Sequence, residues 1–182
     1  MLKSRNLPIL TKLVSTPWGF LGLAANEHGL LHVILPRKDE KSVRRELRAV
    51  SGDPSKTKAA PASTARIQKV LDLAERQLLE YLSGKRRTFT VPLATPPGAT
   101  AFTRAVWRAC AEIPHGETRP YNWIAQRIGR PRASRAVGAA LGANPLPLVV
   151  PCHRVIRGDG SLGGFGGGLP LKKRLLALEH RP

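Results

Sequence analysis

The chain has 182 residues, enough to bury a substantial core as one large domain or two small ones. Lysine and arginine number 30 against 12 aspartate and glutamate residues, a formal net charge of +18 at pH 7. This excess makes a polyanion, and nucleic acid above all, the expected partner. No stretch reaches the roughly 18 apolar residues of a membrane-spanning helix, and the N-terminal apolar run is too short for a signal peptide. We therefore expect a cytoplasmic protein without a membrane segment.

The first predicted domain, residues 1–95, combines strand and helix patterns. Apolar segments separated by turn residues predict an antiparallel meander with strands around 9–14, 19–25 and 30–35. A polar helix is predicted at about 39–50, and a surface loop without periodicity follows at 51–61.

A second helix follows this loop. Ser63 or Thr64 is suited to cap its start, and Gly84 is placed to end it. Its apolar residues recur at helical spacing, at Ile67, Val70, Leu71, Ala74, Leu78 and Leu82. Proline residues then mark a linker to the next domain, at positions 92, 96 and 97.

The second predicted domain, residues 96–182, is mostly helical. Apolar spacing predicts a helix over about 102–113, in which Cys110 lies on the buried face and belongs to the core. A shorter helix over about 121–128, ending at Gly129, precedes a third one. The last two have the pattern of a helix-turn-helix.

The third of these helices has two distinct faces. Its predicted buried face consists of Ala133, Ala136, Val137, Ala140 and Leu141. The opposite face consists of Ser134, Arg135, Gly138, Ala139 and Gly142. A helix that reads bases in the major groove usually presents Arg, Asn or Gln, so small residues with one arginine favour close approach to the minor groove. Tight packing against another protein element is the alternative.

Cys152 is the candidate reactive residue, in the sequence Pro151-Cys152-His153-Arg154. A thiol needs a base or a cation nearby to react at neutral pH, and both follow it directly. Pro151 is expected to end a strand, which places the sulfur atom where the chain turns and can face a cleft. A buried structural cysteine is the alternative.

Several motifs together carry a resemblance to a known family. They are Ile113-Pro114-His115-Gly116-Glu117-Thr118, Arg135-Ala136-Val137-Gly138, Asn144-Pro145, the segment Val150 to Ile156, the glycine-rich segment Gly160 to Leu169, and Lys172 to Glu179. With these motifs the chain resembles the O6-alkylguanine-DNA alkyltransferase family over about residues 100–180. The resemblance implies an α+β fold, in which an N-terminal antiparallel sheet with a ribonuclease H-like helix arrangement precedes a helical, winged helix-turn-helix-like catalytic domain.

The same resemblance implies the chemistry. Cys152 is implied to be the nucleophile and alkyl acceptor, His153 its base through a water molecule, and Glu179 the group that orients and polarises His153. Asn144 is implied to brace the active-site turn. Without the resemblance, Glu179 would be interpreted as a surface carboxylate near a basic helix end.

An alkylated base inside a duplex must leave the stack before a protein thiol can reach it. Arg135 is implied to fill the gap, and Tyr121 to rotate the phosphate and donate a hydrogen bond or proton toward N3 of guanine. Ser134, Ala136 and Gly138 complete the implied DNA-binding set. The implied pocket wall consists of Val155 and the loop 163–168, with Phe165, Gly166 and Gly167.

The implied function is direct repair of double-stranded DNA that carries O6-alkylguanine and, less readily, O4-alkylthymine. The alkyl group is transferred irreversibly to Cys152, so each molecule acts once. No cofactor or obligate protein partner is expected. No metal is expected either, because His28 and His32 alone cannot complete a four-ligand zinc site. Two alternatives remain: a non-enzymatic protein that marks alkylated DNA, and a transcription factor with an accidental Pro-Cys-His-Arg sequence.

Overall fold

The computed structural model describes residues 7–52 and 60–180. The chain forms two units, one of residues 1–80 with 90–95 and one of residues 81–89 with 96–182. Within the described ranges, no helix combines the length and the apolar character that a membrane-spanning segment needs.

The first unit contains the predicted meander. Its strands are β1 (Leu10–Thr16), β2 (Gly19–Asn26) and β3 (Gly29–Arg37), which pair antiparallel in the order β1-β2-β3. Apolar residues fill the central strand, and its buried positions run from Leu21 to Asn26. His28 is exposed in the turn before β3, whereas His32 is half-buried within β3.

Helix α1 (Glu40–Ser51) covers one face of this sheet. Its N-cap is Asp39, whose carboxylate accepts hydrogen bonds from the backbone amides of Lys41 and Ser42 at 3.0 Å each. Val43 and Leu47 pack against Ile34 of the sheet. Gly22 permits this close approach, because a Cβ atom there would lie 2.8 to 3.0 Å from these three side chains.

Helix α2 (Pro61–Leu82) begins earlier than predicted. Neither Ser63 nor Thr64 is its cap, because proline, whose fixed φ suits the first helical turn, starts the helix at Pro61. The predicted apolar face is confirmed, since all six of its residues are buried. The helix ends before Gly84, which has a φ of 77°. Most of the predicted loop at 51–61 lies outside the described residues, and Ser51 is the last residue of α1.

The second unit is mainly helical, as predicted. Helix α3 (Ala101–Ala111) is capped by Thr100, whose hydroxyl accepts a hydrogen bond from the amide of Thr103 at 3.1 Å. The unit continues with strand β4 (Arg119–Pro120), helices α4 (Tyr121–Arg127) and α5 (Ser134–Gly142), strand β5 (Val155–Ile156) and helix α6 (Leu169–Glu179). The two short strands pair in parallel.

Helices α4 and α5 form the predicted helix-turn-helix. Both pack against α3, and the indole nitrogen of Trp107 in α3 donates a hydrogen bond to the carbonyl of Ala140 at 2.8 Å. The predicted buried face of α5 needs two corrections, because Ala136 is exposed and Ala133, which is half-buried, lies before the helix. The helix begins only at Ser134, so its buried face is narrower and consists of Val137, Ala140 and Leu141.

Candidate active site

A tight turn, not a strand, leads to Cys152. Leu148 has a φ of 74° and bends the chain, so Leu148–Val150 cannot continue as the predicted strand. Asn144 braces this turn from both sides: its side-chain amide donates to the carbonyl of Val150 at 2.9 Å, and its side-chain oxygen accepts from the amide of Leu146 at 3.0 Å. After Pro151, a 3-10 turn at Cys152–Arg154 begins.

The thiol of Cys152 opens into a cavity of about 320 Å³. The other lining residues come from α4, α5 and the glycine-rich loop, and they are Tyr121, Gly138, Leu141, Gly142, Gly164, Phe165 and Gly166. Of the residues predicted to form the pocket wall, Phe165 and Gly166 therefore line the cavity. Val155 is fully buried in β5 and, like Gly167, does not line this cavity.

Two opposing effects act on the thiol. Burial raises the pKa of Cys152, whereas the amide of Asn144 and the ammonium group of Lys172 lower it. Because burial is the largest effect, the thiol is protonated at neutral pH and would need a base in order to react as a nucleophile.

His153 and Glu179 form a buried pair. Nε2 of His153 lies 2.9 Å from Oε1 of Glu179, and both side chains are fully buried. Burial lowers the pKa of His153 even though the carboxylate beside it acts in the opposite direction, so the ring is neutral at pH 7. Nδ1 of His153 is buried and lacks a hydrogen-bond partner in the described part of the chain.

Glu179 is not the surface carboxylate that its position in the sequence suggests. Arg154 binds it with two donors, Nε to Oε2 at 2.9 Å and Nη2 to Oε1 at 2.8 Å, and the amide of Gly116 donates to Oε2 at 3.2 Å. Burial alone would raise the pKa of Glu179, but the hydrogen bonds from His153, Arg154 and Tyr81 outweigh it and hold the pKa far below its usual range. The carboxylate is therefore charged at neutral pH.

Two residues of this site, Tyr81 and Lys172, were missed by sequence reasoning, and Arg154 was predicted only as a cation beside the thiol. Tyr81 donates its hydroxyl proton to Oε1 of Glu179 at 2.5 Å, although 98 positions separate the two residues. Arg154 also donates through Nη1 to the carbonyl of Ile113 at 2.6 Å. The cation predicted beside the thiol, Arg154, binds the carboxylate of Glu179. For Tyr81 the only signal in the sequence is helical spacing from Leu78.

Lys172 is the second missed residue. Its side chain is fully buried, and its ammonium group donates to the carbonyl of Val155 at 2.6 Å and to the carbonyl of Leu162. Burial lowers the pKa of Lys172 to about 8. The residue thus anchors α6 to the chain that follows Cys152 and places a positive charge near the thiol.

Tyr121 is the first residue of α4, and it lines the cavity. Its ring lies against Gly138 of α5, where an added Cβ atom would be 3.7 Å away. Its hydroxyl lies against Gly163, where an added Cβ atom would be only 2.9 Å away. These two glycines therefore make the room that the tyrosine occupies.

The other predicted DNA-binding residues lie along α5. Arg135 and Ala136 are exposed, and Ser134 and Gly138 are half-buried. Arg130 and Arg132 in the turn before α5 line an open cavity of about 400 Å³. Phe165 lies with its ring edge-on to His153 at a centroid distance of 6.3 Å, which places an aromatic group without a hydroxyl beside the histidine.

Cys110 lies in the core, as predicted. Its side chain is fully buried in α3, and burial raises its pKa well above the usual range. Within residues 7–52 and 60–180, no three His, Cys, Asp or Glu side chains are grouped so that they could hold a metal ion.

Two family profiles match most of the chain. The 6-O-methylguanine DNA methyltransferase, ribonuclease-like domain, matches residues 9–95, and the DNA binding domain of the same family matches residues 101–181. A methylated-DNA--protein-cysteine methyltransferase of Methanosarcina barkeri is 42% identical over 168 residues, which is 92% of this chain and 95% of that protein. The inducible enzyme of that name from Bacillus subtilis is 52% identical over 105 residues, which is 58% of each chain.

Solved structures agree with these matches. The crystal structure of Mycobacterium tuberculosis OGT in complex with DNA matches this chain with a TM-score of 0.72 and 37% sequence identity. The match covers 93% of this chain and 92% of the tuberculosis chain. The O6-methylguanine-DNA methyltransferase of Pyrococcus kodakaraensis shares the fold at 20% identity and a TM-score of 0.62. The predicted α+β fold class is thereby confirmed. From its motifs, its fold and these relatives, the chain belongs to the family of 6-O-methylguanine DNA methyltransferases.

Proposed function

We propose that this protein repairs DNA by transferring the alkyl group of O6-alkylguanine irreversibly to the sulfur atom of Cys152. The observation that carries the proposal is that Cys152 opens into a cavity, while the next residue, His153, is held by the buried carboxylate of Glu179. DNA repair and a cysteine acceptor agree with the names of the relatives. DNA as the partner agrees with the complex of the tuberculosis protein with DNA, and we propose that the substrate is double-stranded.

The transfer is a displacement at the alkyl carbon. The Cys152 thiol gives up its proton toward Nδ1 of His153, directly or through one water molecule, and the sulfur atom then forms a bond to the alkyl carbon. The bond from that carbon to O6 breaks, and its electron pair stays on guanine, which takes up a proton. Tyr121, whose hydroxyl lies at the cavity, donates a hydrogen bond or proton toward N3. The thioether cannot be cleaved by any of these groups, so each molecule acts once.

The residues around the thiol support this chemistry. Glu179 keeps a proton on Nε2 of His153 and leaves Nδ1 as the basic nitrogen. Asn144 fixes the turn that carries the thiol through its two hydrogen bonds. Phe165 and Gly166, which line the cavity, are proposed to hold the base.

DNA binding is assigned to α5. Arg135 is exposed on the same helix that lines the cavity with Gly138, so it is placed to fill the gap left by an extruded base. Ser134, Ala136 and Gly138 let the helix approach the minor groove closely. Residues 96–182 thus form the proposed DNA-binding and alkyl-acceptor domain and residues 1–95 the N-terminal domain. The proposal includes repair of O4-alkylthymine as a slower reaction and a location in the cytoplasm.

The mass of the intact protein after incubation with a duplex containing O6-methylguanine tests the proposal. One added methyl group is expected, on Cys152. Cys152→Ser should abolish transfer and leave duplex binding within about twofold, because the charge and the helix-turn-helix are unchanged.

Cys110→Ser is the matched control and should still accept one methyl group. Methylation at Cys110, or transfer by Cys152→Ser, would refute the assignment. Binding of the alkylated duplex without any gain in mass would instead favour a protein that only marks lesions.

A further inference from the structure

The hydroxyl group of Tyr81 occupies the junction between His153 and Glu179. It lies 2.5 Å from Oε1 of Glu179 and 3.2 Å from Nε2 of His153, and the Tyr81 side chain is fully buried. The ring is held in place by Phe89 at a centroid distance of 5.4 Å and by the edge of His115 at 6.3 Å. All of these residues belong to the second unit.

The protons in this cluster can be assigned from its partners. Ionised Glu179 can only accept hydrogen bonds, so the single proton of the Tyr81 hydroxyl is directed to Oε1. The tyrosine oxygen can then offer only an acceptor to Nε2 of His153. Because both neighbours of Nε2 are acceptors, Nε2 carries the ring proton and Nδ1 carries the free electron pair.

The same hydroxyl group also limits the negative charge that His153 experiences. Oε1 of Glu179 accepts hydrogen bonds from three side chains, those of His153, Arg154 and Tyr81. Each donor draws charge away from the oxygen atom that faces the imidazole. Loss of one donor would therefore stabilise the protonated, non-basic form of His153.

We propose that Tyr81 is a positioning residue of the alkyl transfer: its hydroxyl group holds His153 in the Nε2–H tautomer and moderates the charge of Glu179, so that Nδ1 is free to accept the thiol proton. This inference rests on the proposed function of Cys152 and His153. Tyr81 acts through these groups and does not touch the thiol or the substrate.

Other titratable and charged groups also face this cluster, and they must be kept constant in a test. Glu179 and Lys172 act on His153 from α6 and Arg154 acts on it from the 3-10 turn, while Arg87 and His180 act on His115, which lies beside the Tyr81 ring. Burial, followed by the charge of Glu179, raises the pKa of Tyr81 far above its usual range, so Tyr81 keeps its proton throughout the relevant range of pH.

Tyr81→Phe removes the hydroxyl group and keeps the ring. We expect the rate of Cys152 alkylation by free O6-benzylguanine to fall at least about threefold relative to the unsubstituted protein at pH 6, but to stay within about twofold at pH 8.5. The acid limb of the rate profile should thus move to higher pH, because His153 is protonated more readily. The free base is the probe because its reaction does not require DNA binding.

Phe89→Leu is the matched control, because it loosens the packing around the Tyr81 ring without removing a hydrogen bond to Glu179. It should change stability and leave the position of the acid limb unchanged. The imidazole ¹⁵N shifts of His153 provide a second measurement. They should show the neutral Nε2–H tautomer in both proteins at pH 8.5, because Glu179 still accepts from Nε2, and a larger fraction of protonated His153 at pH 6 in Tyr81→Phe.

The outcomes separate the two proposals. If the unsubstituted protein is not alkylated at Cys152, the proposed function fails. If it is alkylated and the profile of Tyr81→Phe has the same shape, or the Nδ1–H tautomer is found, only the role of Tyr81 is overturned. An equal shift of the acid limb in Phe89→Leu would assign the effect to packing and also overturn that role.

Discussion

Lys172 illustrates how the position of one residue changes its chemistry. In the sequence it is one of three consecutive basic residues, Lys172, Lys173 and Arg174, and nothing distinguishes it from its neighbours. In the structure its side chain is buried, whereas Lys173 is exposed. Burial disfavours the ammonium form. The two backbone carbonyls that accept its hydrogen bonds and the nearby thiol of Cys152 favour it.

We expect Lys172→Met to make the Cys152 thiol harder to deprotonate, because the ammonium group that lowers the pKa of the thiol is lost. Alkylation by free O6-benzylguanine at neutral pH should become slower by roughly fivefold or more. The ultraviolet absorbance of the thiolate, followed against pH, measures the change directly. Lys173→Met removes the same charge from the exposed neighbour and should change neither quantity.

The same residue predicts a dependence of stability on pH. The pKa of Lys172 is about 8 in the folded protein and 10.5 in the unfolded chain, so the unfolded chain binds more protons between these values. The contribution of Lys172 to the free energy of unfolding therefore rises with pH across this window. Urea unfolding at both ends should show a smaller rise in Lys172→Met than in Lys173→Met, and equal rises would contradict the assigned burial of the charge.

At the scale of elements, α5 combines two tasks. Its buried residues pack against α3 and α4, and its opposite face carries small side chains around one exposed arginine, Arg135. Gly138 also receives the ring of Tyr121. The small residues therefore fit both interpretations of the sequence pattern: they allow close packing against a protein element on one side, and they leave an unobstructed helix face for the minor groove on the other.

Arg135→Ala should separate base extrusion from chemistry. We expect repair of a duplex with O6-methylguanine to slow by about tenfold or more, since unstacking a base costs a few kcal/mol. The reaction with free O6-benzylguanine should stay within about twofold, because no base has to leave a stack. Single-turnover rates with both substrates measure the difference.

Arg48→Ala removes the same charge from the exposed last turn of α1 and is the control for a general loss of positive charge. It should affect duplex repair by less than about twofold. Equal losses on duplex and free base in Arg135→Ala would refute the intercalating role.

At the scale of the whole molecule, positive charge is present throughout the chain. Residues 1–100 hold 17 basic and 8 acidic side chains, and residues 101–182 hold 13 and 4. Attraction to phosphate groups does not depend on base sequence. The proposed mechanism therefore places selectivity at the extruded base and the thiol rather than in groove contacts.

Unmodified duplexes of different sequence should therefore bind with similar affinity and weaken steeply with salt. If about six phosphates are neutralised, the association constant should fall roughly a thousandfold between 50 and 200 mM salt. Arg132→Ala, at the cavity before α5, should reduce the logarithmic salt slope by about one. A discrimination of about a thousandfold between undamaged sequences would instead favour a transcription factor.

Regular periodicity made most elements predictable. The three strands, the apolar face of α2 and the helix-turn-helix were found because each is repeated over several residues within one segment. The prediction was wrong at single positions near the ends of elements. These are the start of α2, the exposure of Ala136 and the turn before Cys152. Such positions are decided by capping and packing, which periodicity does not report.

By itself, the sequence determined most of the elements, the excess of positive charge and, through its motifs, the candidate cysteine with the histidine beside it. Only the tertiary structure decided that Tyr81, Arg154 and Lys172 join the site and that Glu179 is buried beside His153. These contacts join residues distant in sequence, and no local pattern records which of many similar side chains meet. Burial then sets their charge states, because the cost of removing a charge from water depends on the surrounding fold and not on the residue type alone.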